Sequence, residues 1–134
     1  MFSRQQMIKG IWVGRGLTQN RGKLSSRVEH GTKEFPYLNL YWALTQLKPS
    51  ETTTIYLNPG RHWIYRPLEF SIPNTSLIGI LDADGQMPTL DLSMVESLPA
   101  IIISAPNALV ERINLYFPPS TNSTCTMEDI CWRV

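Results

Sequence analysis

From Thr52 onward the chain alternates short apolar runs with clusters of turn residues. Thr53 to Leu57 is β-branched and aromatic, the composition of a strand. Asn58-Pro59-Gly60 reads as a turn, because proline presets its own φ and glycine accepts a positive one. Further strands are predicted at Ile64–Tyr65, Leu68–Ile72, Ser76–Leu81, Thr89–Leu92, Ala100–Ser104 and Ala108–Tyr116. Pro73-Asn74 and Asp82-Ala83-Asp84-Gly85 separate them, and Pro118-Pro119 ends the series. Many of these runs are apolar at successive positions. That suits strands buried in stacked layers better than hairpins wet on one face. Asp84-Gly85 leaves an antiparallel hairpin open.

Upstream, residues 36–48 carry the one helical pattern. Leu38, Tyr41, Trp42, Ala43, Leu44 and Leu47 fall near helical spacing and make an apolar stripe. Pro36 suits a helix start, Lys48 suits the negative end of the helix dipole, and Pro49 stops the helix. Residues 1–34 show little periodicity beyond a short strand at Ile11–Val13, and five glycines break any helix there.

The chain of 134 residues, 43% hydrophobic and 17% charged, has the makings of one folded domain rather than a disordered segment. Its longest near-apolar stretch, Leu98–Ser104, is strand-sized, so no membrane span is expected. Charge divides it. Residues 1–33 hold seven basic side chains against Glu29 alone, while the remainder is acidic on balance. Such an arm, with Arg15, Arg21, Lys23 and Arg27, is a candidate contact for RNA or another anionic partner, and otherwise a solvated leader. The domain division is therefore a basic arm over 1–34 and a folded body over 35–134. An intracellular, cytoplasmic setting is expected because no secretory signal is seen; the Arg-rich, acid-poor start also allows an organelle.

The order of the pieces resembles the opening of pectin-lyase-like proteins. In the run LYWALTQLKPSETTTIYLNPGRHWIYRPLEFSIPNTSLIGI, an amphipathic helix precedes a strand, a Pro-Gly turn, a further strand and a Leu77-Ile78-Gly79 phrase. PTLDLS at 88–93 and PAIIISAPNALVERINLYF at 99–117 fit as successive faces. The resemblance spans about 35–118. It implies an all-β fold: a short right-handed parallel β-helix of about three coils, starting near residue 52, with an N-terminal capping α-helix over 36–48. Ile55, Leu57, Leu77, Ile80, Leu90, Ile101, Ile103, Val110 and Ile113 are then expected to point inward as ladders. With nothing to plug the C-terminal end, a truncated chain, self-association or a protein partner at that edge is expected.

The catalytic motifs of the family's enzymes are not found. The esterase phrase Gly-x-Tyr-x-Glu is replaced by Gly60-Arg61-His62-Trp63-Ile64-Tyr65, so no catalytic residue is carried over. Asp82 and Asp84 read as turn formers rather than ligands. Cys125 and Cys131 lack the spacing and histidines of a zinc site; they read as free thiols, with a disulfide closing a small loop as the alternative. No cofactor is expected. The sequons at Asn74 and Asn122 read as chance matches without a secretory signal. Arg61, His62, Trp63, Tyr65 and Arg66 make an aromatic-basic patch that could stack a sugar ring or a base; the plainer reading packs the rings and solvates the arginines. Three roles follow: a non-catalytic module binding a protein or a glycan, the N-terminal fragment of a carbohydrate-active enzyme, and an RNA-contacting subunit of a larger complex.

Overall fold

A computed structural model describes residues 8–14, 30–96, 99–117 and 130–132. Its strands are β1 (Ile8–Val13), β2 (Thr52–Leu57), β3 (Arg61–Trp63), β4 (Leu68–Phe70), β5 (Thr75–Gly79), β6 (Thr89–Asp91), β7 (Ile101–Ile103), β8 (Leu109–Glu111), β9 (Asn114–Tyr116) and β10 (Ile130–Trp132). They form three sheets, ordered β1-β2-β5-β8, β3-β6-β9 and β4-β7-β10. From β2 onward the chain visits the sheets in a fixed cycle, and every strand pair in them is parallel. The hairpin left open at Asp84-Gly85 does not form. Asp82 Oδ1 instead accepts from the amides of Asp84 and Gln86, both at 2.8 Å, and closes a turn between strands of different sheets.

Register explains the core. Strand side chains alternate between faces, so in-register pairing stacks like positions. Ile11, Ile55, Leu77 and Val110 form one rung series in the first sheet. His62, Leu90 and Leu115 align in the second, and Leu68 with Ile101 and Phe70 with Ile103 in the third. Ile55, Leu57, Leu77, Leu90, Ile101 and Ile103 are buried as expected. Ile80 is half-buried, and Val110 and Ile113 are partly buried against the core. Burying each such side chain contributes about 1.5–3 kcal/mol.

Several boundaries differ from those predicted. Strand β3 lies at Arg61–Trp63, ahead of the expected Ile64–Tyr65, because Gly60, at φ 115°, completes the turn and releases the chain at once. The run expected at Ala108–Tyr116 divides into β8 and β9 at Arg112, whose φ of 61° turns the chain into the next sheet. Strand β1 begins at Ile8 and pairs with β2 along its whole length. Its outer edge is closed by the following segment: Trp12 N donates to Gly31 O, Tyr37 N to Trp12 O and Gly14 N to Tyr37 O, at 2.7–2.9 Å. Outside the pair, Trp12 stacks on Tyr56 with centroids 4.6 Å apart.

The expected helix over 36–48 is a single short turn, α1 (Leu40–Thr45). Asn39, not Pro36, starts it: the Asn39 side chain accepts from Trp42 N at 2.8 Å. Pro36 and Tyr37 belong to the extended edge beside β1. Gln46 ends the helix, so Lys48 lies beyond its last turn. Leu40 and Ala43 are buried and α1 packs on β1, whereas Leu38 and Trp42 are about half-exposed. The predicted stripe therefore divides between interior and surface. The C-terminal edge expected to be open involves residues 118–129, 133 and 134, outside the described residues, as does Cys125.

Three substitutions test this packing. Ile103→Asp should leave the protein unfolded in circular dichroism, since Ile103 is 2% exposed and an unpaired charge there is prohibitive. A Cβ on Gly79 would run into the carbonyl oxygen of Arg112 and crowd Pro88, whereas a Cβ on Gly60 meets nothing within 4 Å. Gly60→Ala should cost about 1–3 kcal/mol, through backbone strain alone. Gly79→Ala should cost more in urea unfolding.

Candidate functional site

The second sheet carries the site. The Asn58-Pro59-Gly60 turn delivers the chain into β3, where period-two alternation sets Arg61 and Trp63 outward and His62 inward. On the outward face Trp63, Asp91 and Tyr116 stack in register on β3, β6 and β9. The Arg61 guanidinium lies over the rings of Trp63 and Tyr116, at 5.5 and 5.3 Å. It also reaches Asp91: Nη1 stands 3.4 Å from Oδ2. Asp91 is only 3% exposed. Burial pushes its pKa up, but the Ser93 side chain, the Ser93 amide and the Arg61 charge outweigh this and hold the carboxyl below its ordinary value. The Ser93 amide donates to Asp91 Oδ1 at 2.9 Å. The anchored carboxylate restrains Arg61, and Arg61 braces the two rings.

His62 faces the other way. Its Nε2 donates to the Asn58 carbonyl at 2.7 Å, so the bonded tautomer is the Nε2–H form. Burial lowers its pKa, and the bond to Asn58 opposes this only in part. Gly14 lies against the ring; a Cβ there would meet His62 Cε1 at 2.5 Å.

Tyr65 and Arg66 lie at the corner after β3. The Tyr41 hydroxyl donates to Arg66 O at 2.6 Å and accepts from the amides of Tyr65 and Arg66, at 3.0 and 2.8 Å. That uses its one donor and both lone pairs. Arg66 lies over the Tyr41 ring at 4.6 Å. A groove of about 650 Å³ adjoins β3, lined by residues 59–65, Gly14 and Leu38–Leu40.

The five patch residues therefore separate. Arg61 and Trp63 share a face, His62 lies behind them, and Arg66 is held at the corner outside the groove; Tyr65 joins the groove with its side chain 60% exposed. Asp91, Tyr116 and Tyr41 complete the arrangement and were not foreseen. Only the register between distant strands brings Asp91 and Tyr116 to Trp63. Arg15, Arg21, Lys23 and Arg27 lie outside the described residues. Among the described residues, no three His, Cys, Asp or Glu side chains gather so as to hold a metal ion, and no helix is long and apolar enough to cross a membrane. Comparison of the chain with family models, curated proteins and solved structures gives no match.

The His62 environment sets a pH dependence. The unfolded chain takes up a proton near pH 6.5, and the folded protein does so only at lower pH. The contribution is full above pH 6.5 and falls as pH drops through that value. Thermal unfolding between pH 7.5 and 5 should show this fall, flattened in His62→Gln. Nuclear magnetic resonance titration of the His62 ring should give a midpoint below 6.5.

Proposed function

We propose that this chain is a right-handed parallel β-helix module of the pectin-lyase-like kind, and that it binds a glycan on the outer flank of its second sheet rather than turning one over. Three parallel sheets visited in a fixed cycle support the fold reading. In this reading α1 and residues 31–37 protect the N-terminal end of the stack.

The observation that carries the binding reading is the braced pair of rings. Trp63 is 52% exposed and Tyr116 41% exposed, although both are large and apolar enough to be buried had packing alone placed them. Surface aromatics held in one orientation lose little entropy when a flat partner stacks on them. The apolar face of a pyranose is such a partner. Arg61 keeps donors beyond its single contact with Asp91, and those can reach the hydroxyl or carboxylate groups around the ring's rim. The groove alongside offers Asn39 and Tyr65 as further polar contacts.

Calorimetric titration with oligogalacturonate and with cello-oligosaccharide tests the acidic and the neutral cases. Saturable binding to either is expected. Trp63→Ala should weaken it about tenfold or more, by analogy with ring stacking worth about 1–3 kcal/mol, while the melting temperature changes little. Binding to neither sugar, or affinity indifferent to Trp63→Ala, would reject the glycan reading.

A further inference from the structure

Strand β3 has two unlike edges. Toward β6, Gly60 O accepts from Thr89 N at 2.9 Å and Ile64 N donates to Asp91 O at 3.0 Å. In a parallel ladder alternate residues send their N–H and C=O groups to opposite sides. Arg61 and Trp63 therefore direct theirs away from β6. Among the described residues no backbone hydrogen bond meets them there. The first sheet shows the same position filled, since β1 covers the corresponding edge of β2 over six residues. Among the described strands β3 stands at the end of the second sheet's order.

Residues 59–65, with all of β3 among them, line the groove. Exposed strand edges are templates for an added strand, which natural proteins usually cover or blunt. Here the groove adjoins the strand, and the half-exposed Leu38 is an apolar member of its lining. Among the described residues its lining contains the Arg61 guanidinium, which keeps donors beyond its contact with Asp91, and no carboxylate. An occupant thus gains main-chain bonds from Arg61 and Trp63, apolar contact at Leu38, and charge complementarity if it is acidic.

We propose that the β3 edge binds an extended, carboxylate-bearing peptide segment of a partner protein by strand addition. The peptide uses the backbone edge, whereas the glycan reading uses ring faces, so the two stand or fall separately.

The test uses the full chain and a phage-displayed library of random dodecapeptides. Selected peptides are synthesised, labelled and titrated by fluorescence anisotropy. Each is compared with a version N-methylated at alternate backbone amides, which keeps every side chain but removes donors from one edge. Hydrogen exchange at the Arg61 and Trp63 amides is followed with and without peptide. Enrichment of acidic sequences is expected, with affinity lowered about tenfold or more by N-methylation in one of the two phases. The two amides should exchange freely in the unbound protein and slow on binding. Failure to select any saturable peptide would overturn the proposal. So would indifference to N-methylation in both phases, or amides already protected in the unbound protein, which would mean the edge is covered by the chain itself.

Discussion

In-register parallel pairing is the constraint on which the rest of this structure depends. A triplet of strands as short as these has too few contacts to hold itself together. Stacking the triplets places Ile55 on Leu77, Leu90 under His62 and Ile101 beside Leu68, so each rung buries its neighbour. Parallel pairing also forces long connections between paired strands, and the chain uses them to build the other two sheets. A shift of one residue would turn Ile55 and Leu77 outward and bring Tyr56 and Ile78 in. The turns prevent that: Gly60 at positive φ, Asp82 closing its own loop, and Gly79 leaving room for the Arg112 carbonyl.

The same register assembles the outer flank of the second sheet. Trp63, Asp91 and Tyr116 come from three successive passes of the chain, and Arg61 ties them together from the first. The buried carboxylate keeps its charge because donors from Ser93 and the arginine offset the cost of burial. Tyr41 acts at right angles to this, holding the corner at Tyr65 and Arg66 from the helix side. The site is thus supported by the fixed carboxylate of Asp91 and the fully bonded hydroxyl of Tyr41, which suits a surface that presents rings rather than one that must rearrange.

Much of the architecture was legible in the chain. Short apolar runs punctuated by Pro, Gly, Asn and Asp pointed to buried strands, and six of the nine residues expected to face inward are buried. Local patterning did less well where the backbone's own chemistry decided. Asn39 outcompeted Pro36 as the helix start, because its side chain satisfies the amide of Trp42. Strand β1 is legible in the sequence only at Ile11–Val13, yet it forms six rungs because β2 offers an edge for it to pair with. Arg112 interrupts what looked like one strand, since a corner was needed there and no glycine marked it.

Sequence by itself determined that short strands separated by turns follow Thr52, and that aromatic and basic side chains cluster after Gly60. These follow from side-chain shape and backbone preference, which act over a few residues. Only the tertiary structure decided that Asp91 and Tyr116 join Trp63, that His62 turns inward, and that β3 lines a groove. Those outcomes depend on which distant rungs stack, and stacking is settled by register across the whole chain rather than by any local stretch.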